Sequence, residues 1–324
     1  MQKWNDFISA NTSLSEEATP ACALVDLSDL GLIKVSGEDK ETFLQGQLTN
    51  DVTKVSGTHS QMSSYCSPKG RMLANFRLFM RGDDIYIIIP QEKLEAILKR
   101  LRMFVLMSKV VLDDVSEELV CVGVVGDCTS VKLPTESDDV ATEAGITSIR
   151  LAGDSPRALL VGDFESMSEL WQSSGAAIKE RSYWSLQDIR AGLPTVYEQT
   201  TEAFIPQMTN MQLINGVSFK KGCYTGQEVV ARMQYLGKLK RRMFRVSIDT
   251  DTMPEPGTEL FSASSASGQG AGKIVEASPS PDGGFEALAV AQISSAEADD
   301  LTLGSAEGPK LNLLDLPYSF EEQE

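Results

Sequence analysis

The spacing of apolar residues changes character partway along the chain, and this limits the possible folds more than any other feature. Before Arg245, strand-like and helix-like stretches are interleaved; after it, short strand-like runs sit between Gly, Ser and Pro clusters. Residues 21–35 read as two short strands around a turn, and Ser36-Gly37-Glu38-Asp39 opens a helix that carries Phe43 and Leu44 and ends near Gly46. Residues 71–80 and 85–89 form strands, and Pro90 at the first helical position leads into Leu94, Ile97, Leu98, Leu101 and Val105 at helical spacing. Residues 120–125 and 158–161 add strands, while 166–171 and 183–190 add helices, the second stopped by Gly192 and Pro194. Runs 244–248 and 287–291 follow the pattern of a small all-β barrel, with 262–272 and 278–284 as hairpin loops. The expected fold class is α+β with a C-terminal all-β barrel.

A chain of 324 residues with 42% apolar content can bury a core in each of two or three domains. Its cysteines, Cys22, Cys66, Cys121, Cys128 and Cys223, are odd in number, scattered and free of any C-x-x-C pair. Neither a disulfide framework nor a zinc knuckle is therefore expected, in keeping with a reducing compartment. The one histidine, His59, excludes multi-histidine metal sites, and no metal is expected. The N-terminus lacks a basic segment followed by an apolar run, and no stretch of some eighteen apolar residues occurs. The expectation is a cytoplasmic protein with no membrane partner.

A net charge of −17 weighs against strong direct nucleic-acid binding, which needs a basic footprint. The basic residues are nevertheless concentrated: Lys220, Lys221, Arg232, Lys238, Lys240, Arg241, Arg242 and Arg245 face the single acid Glu228 in one segment. Such a run is either a solvated charged loop or a cationic patch able to capture a small polyanion.

The segment Phe219-Lys220-Lys221-Gly222-Cys223-Tyr224-Thr225-Gly226-Gln227-Glu228 brings together basic residues, glycines, a thiol and a helix start. Thr225 and Glu228 stand at capping-box spacing, which predicts Thr225 as N-cap of a helix starting at Gly226. Cys223 would then lie just ahead of the positive end of a helix and beside two lysines, both of which favour the thiolate. Gly222 and Gly226 would let the backbone turn tightly against a ligand. A Gly-Cys pair alone is equally compatible with a small buried slot.

This run closely resembles the K-G-C-[FY]-x-G-Q-E signature of the YgfZ family. The resemblance extends to Phe43-Leu44-Gln45-Gly46-Gln47-Leu48-Thr49-Asn50-Asp51-Val52, Ser67-Pro68-Lys69-Gly70-Arg71, Phe204-Ile205-Pro206-Gln207-Met208-Thr209-Asn210 and Leu316-Pro317-Tyr318-Ser319. The family is similar in fold to the glycine-cleavage T-protein, in which three domains surround a central folate-binding opening. The resemblance implies two intertwined domains in 1–235, a β-barrel in 236–324, and tetrahydrofolate or a derivative as cofactor. It also implies a factor rather than a conventional enzyme, one that supports iron–sulfur enzymes, including those that thiolate tRNA. The residues it points to are Cys223 as reactive thiol, and Lys221, Gly222, Tyr224, Gly226, Gln227, Glu228 and Arg232 around it.

Trp184 matches a family tryptophan that lies against folate; an indole suits stacking on a pterin, and equally suits a core. The other family tryptophan falls at Leu30, where aliphatic contact replaces stacking. Where T-protein relatives carry an acidic pair after a glycine turn, this chain has Ala74-Asn75, and an amide cannot supply the negative charge that aminomethyl transfer uses. Folate-dependent one-carbon transfer is thus the alternative rather than the first expectation.

Overall fold

The computed structural model describes residues 2–265 and 270–320, and the chain divides into two compact units. One comprises Met1–Ser63 and Phe76–Trp184; the other comprises Ser64–Asn75 and Ser185–Glu324. The architecture is mixed α and β and mostly sheet.

The first unit contains a six-stranded sheet and most of a five-stranded one. A six-stranded sheet has the order Ala177–Lys179, Cys22–Asp26, Val120–Gly126, Arg157–Gly162, Ile146–Leu151, Val140–Glu143; the first pair is parallel and the others antiparallel. A five-stranded sheet has the order Gln61–Cys66, Met72–Arg81, Asp84–Pro90, Leu30–Ser36, Val111–Asp114. Successive side chains on a strand face opposite ways. Ala23, Val25, Cys121, Val125, Leu159 and Val161 accordingly meet Leu32, Phe79, Tyr86 and Ile88 in one core. Their neighbours Leu24, Val122, Val124, Ala158 and Leu160 meet Trp4, Met167, Leu170 and Trp171 in another. These strands are buried on both faces, which explains why 120–125 is continuously apolar. The second core is roofed by helices Gln2–Asn11 and Phe164–Ser173, and Trp4 Nε1 donates to Asp26 Oδ1 at 2.8 Å.

The five-stranded sheet is covered by helix Gln91–Arg102, whose Leu94, Ile97, Leu98 and Leu101 are buried. A Cβ on Gly31 would stand 2.4 Å from Leu94 Cδ1, so the helix lies directly on the backbone there. Pro90 is its N-cap rather than its first residue, and Val105 falls beyond its end. The two strands expected in 21–35 form, but they enter different sheets.

The cysteine reading needs correction. Cys22 and Cys128 form a disulfide, with Cα atoms 4.9 Å apart. Cys22 pairs with Gly126 across adjacent strands, and Cys128 follows two residues later, so sheet register joins thiols 106 residues apart.

In the second unit, six strands form an antiparallel sheet in the order Leu301–Leu303, Glu259–Ser262, Gly272–Pro279, Phe285–Gln292, Arg241–Ile248, Leu311–Leu314. It curls around Val246, Ile248, Leu260, Ile274, Ala287, Ala289 and Leu301, and a bridge between Thr302 and Lys310 joins its edges. The expected hairpin loop 262–272 includes residues 266–269, which lie outside the described residues. Among the described residues no helix is long and apolar enough to cross a membrane.

Glu286, buried on this sheet, accepts from both Arg190 and Arg245 at 2.6 Å. Burial alone would raise its pKa, but the hydrogen bonds and charges of Arg190 and Arg245 outweigh this and lower it. A depressed folded-state pKa gives stability that is fully present above the ordinary glutamate value and is lost as pH falls through the folded value. Wild type should therefore lose stability on acidification below about pH 4.3 more steeply than Glu286→Gln, as read from urea midpoints across pH. Parallel curves for the two proteins would contradict this coupling.

The disulfide gives a second expectation. Reductant should lower the urea midpoint of wild type and leave that of Cys22→Ser/Cys128→Ser unchanged, with the double variant less stable by about 2–4 kcal/mol. A wild type indifferent to reductant would show that these thiols are unpaired.

Candidate functional site

Two glycine turns meet in the second unit. Ser67–Arg71 is closed by Gly70 N donating to Ser67 O at 2.8 Å and Ser67 N donating to Arg71 O at 2.8 Å, with Gly70 at φ 68°. Gly226 has φ 85°, and a Cβ there would lie 2.5 Å from Ser67 O and 3.0 Å from Gly70 Cα. A Cβ on Gly70 would in turn lie 2.7 Å from Val229 Cβ. Only glycine satisfies both the left-handed backbone and the space. Two motifs more than a hundred residues apart are thus locked together, backbone against backbone.

The helix that follows runs Gln227–Tyr235. Its N-cap is Gly226, without a side-chain cap bond, so the expected Thr225 capping box is not formed and the helix starts one residue late. The left-handed Gly226 is the reason: the contact with Ser67, not a hydroxyl, sets where the helix begins. Gln227 N donates to Tyr224 O at 3.2 Å, and Glu228 supplies an acid in the first turn.

Ahead of this helix, Cys223 is exposed. Nothing lies within 4 Å of a Cβ placed on Gly222, whose surroundings are open. Tyr224 points the other way: it is 7% exposed, and burial raises its phenol pKa. The Lys221 ammonium lies 5.2 Å from the Tyr224 ring centroid, and Arg232 is exposed on the helix. Cys66 ends a strand and is wholly buried, its thiol pushed up to about 12 by burial. Cys121 is buried as well, and its pKa is likewise raised by burial. Of the three free thiols, Cys223 alone is exposed.

The remaining motif residues brace this arrangement. Gln207 Nε2 donates to Val230 O at 2.7 Å, tying its turn to the Cys223 helix. Asn210 Nδ2 donates to Met243 O at 2.9 Å, and Tyr318 Oη donates to Gly192 O at 2.9 Å. Asn75 is 3% exposed; its Nδ2 donates to Pro194 O at 2.6 Å while its Oδ1 accepts from Val196 N at 2.7 Å. Both ends of that amide are used to hold the chain.

Trp184 and Leu30 belong to the first unit, where both contribute to the core between its sheets. Trp184 is 2% exposed; its ring lies on Gly123, where a Cβ would come within 2.3 Å of it, and the Arg157 guanidinium is 5.3 Å from its centroid. The structure therefore places both positions in one core cluster.

The basic run does not form one patch. Lys238, Lys240 and Arg241 line a cleft, Arg245 is held by Glu286, and Arg242 faces a smaller cavity of ≈ 170 Å³ with Phe320. Arg241 and Arg242 part because they are consecutive on a strand. Two cations of the cleft, Arg71 and Lys273, lay outside the sequence-defined run; only the fold assembles them with it.

The interlocked turns give a direct comparison. Gly226→Ala should destabilise the protein by about 1–3 kcal/mol, since it combines left-handed strain with a clash against backbone. Gly222→Ala should change stability by less than about 0.5 kcal/mol. Equal melting temperatures for the two variants would contradict the assigned contact.

Known proteins provide a frame for this geometry. Residues 2–144 match the family model of the GCVT N-terminal domain. The crystal structure of the glycine cleavage system aminomethyltransferase T from Bartonella henselae aligns with a TM-score of 0.69 at 12% identity, covering 100% of this chain and 98% of that one. That likeness establishes an aminomethyltransferase-like fold. A curated relative from Colwellia psychrerythraea, tRNA-modifying protein YgfZ, is 36% identical over 232 residues, 69% of this chain and 71% of the relative. With that relative, and with the Lys221–Glu228 motif arranged around an exposed thiol, the chain belongs to the YgfZ family.

Proposed function

We propose that this protein is a folate-binding factor that supports iron–sulfur enzymes, and through them tRNA modification, with Cys223 as its reactive thiol. The observation that carries the reading is the exposure of Cys223 on a loop whose backbone is fixed by the Gly70–Gly226 contact. A rigid, accessible sulfur is what thiol chemistry on a partner needs, and the buried Cys66 and Cys121 are unsuited to it. Membership of a family with a relative named for tRNA modification supports the biological setting. Tetrahydrofolate or a derivative is the ligand suggested by the fold, with Trp184 and Leu30 as its contacts in the first unit and Lys221, Gly222, Tyr224, Gly226, Gln227, Glu228 and Arg232 surrounding the thiol.

Folate-dependent one-carbon transfer is the second reading, and the fold likeness to an aminomethyltransferase favours it. Asn75 argues against it. It carries no charge, and both its polar atoms are engaged in holding 194–196.

Tetrahydrofolate at a hundred times Kd should stabilise the wild type by about 2.7 kcal/mol in thermal melts. Because Trp184 is a core residue, Trp184→Phe is the better probe: it should remain folded and lose much of that gain. Superimposable melts of the wild type with and without ligand would refute the folate assignment. Cys223→Ser should leave melts and ligand response intact yet fail to restore tRNA thiolation in a strain lacking the protein; full rescue would show the thiol to be dispensable.

A further inference from the structure

A cleft of ≈ 950 Å³ within the second unit is lined by Arg71, Lys238, Lys240, Arg241 and Lys273, with Glu297 as the one acid on its walls among the described residues. Lys273 has a counter-ion, Glu259, at 3.7 Å. The other four cations have none among the described residues. Arg71 Nη1 donates to Ala203 O at 2.5 Å and Arg241 Nη2 to Gly270 O at 2.8 Å, but these carbonyls orient the guanidinium groups without neutralising them. Lys238 and Lys240 are exposed and form no ion pair among the described residues. In a chain of net charge −17, acids to neutralise this wall are abundant, yet the cations remain gathered on a concave surface. Such an arrangement is unfavourable in itself and attracts an anion.

The lining also restricts which anion. Bases of a single-stranded nucleic acid stack on exposed aromatic faces, and the only ring in the wall among the described residues, Phe204, is 4% exposed. The wall also carries the half-buried aliphatic side chains of Leu239 and Ile293 and the hydroxyl residues Ser264 and Ser294. Charged, aliphatic and hydrogen-bonding groups thus share one wall. A chain whose carboxylates are separated by methylenes and amides presents the complementary sequence of groups.

We propose that this cleft binds a γ-linked oligoglutamate chain. The inference rests on the folate reading only for a source of such a chain, the polyglutamate tail of a folate; the site itself follows from the lining.

The test uses fluorescently labelled penta-γ-glutamate carrying no pterin. Its affinity for wild type should fall with added salt and should drop about tenfold or more in Lys238→Ala/Lys240→Ala. The control Lys54→Ala/Lys132→Ala, which removes equal charge from the first unit, should match wild type. Equal losses in both variants would reduce the effect to bulk charge, and no binding at low salt would end the proposal. Tighter binding of tripolyphosphate or of α-linked pentaglutamate would overturn the assigned class. Monoglutamyl tetrahydrofolate, followed by thermal melts, keeps the two readings apart: oligoglutamate binding without a tetrahydrofolate response refutes the folate reading and leaves the cleft, and the converse refutes the cleft.

Discussion

At Gly226 a single methyl group would collide with the Ser67 carbonyl, and at Gly70 it would collide with Val229. This mutual exclusion of side chains governs the geometry around the thiol. It holds Ser67–Arg71 against the start of helix Gln227–Tyr235, and Gln207 fixes the same helix from its own turn through Val230 O. With the helix start pinned by backbone, the three residues before it have little freedom. Tyr224 turns inward and Cys223 outward, a division that follows from the close approach rather than from the polarity of the two side chains.

Charge is distributed with similar economy. Five cations of the basic run serve three ends: Arg245 completes the Glu286 cluster, Arg242 lies over Phe320 at 4.2 Å, and Lys238, Lys240 and Arg241 reach a cleft. A carboxylate between two arginines is fully compensated, and there the charges hold the curled sheet to the end of helix Arg181–Arg190. In the cleft they form no ion pair among the described residues, and gathered like charge on a concave surface favours an anion there.

Much of this was legible in the sequence. Strand and helix runs were readable wherever one period dominated, as in 120–125 and in the Leu94–Leu101 spacing. The YgfZ-like motifs identified the Cys223 loop. What stayed hidden depended on contacts distant along the chain. The Cys22–Cys128 disulfide arises from sheet register, and scattered cysteines carry no trace of register. Thr225 had the spacing of a cap, but Gly226 took the left-handed backbone because Ser67 lies against it. Helix Gln2–Asn11 shows its apolar period only in Trp4, Phe7 and Ile8, little more than one turn of signal. Local pattern predicts elements well where burial is one-sided, and fails where a distant segment decides.

The fates of the five cysteines bear on what kind of chemistry is open to the protein. Cys22 and Cys128 satisfy one another within the first unit, while Cys66 and Cys121 are sealed in cores where burial keeps them protonated. Cys223 is the remaining thiol, and none of the other four is an accessible free thiol with which it could pair. A disulfide relay inside this chain would need a second such sulfur. Under the proposed function, thiol chemistry at Cys223 is directed outward, toward a group carried by another molecule, and an exposed sulfur on a loop held by the Gly70–Gly226 contact suits that role.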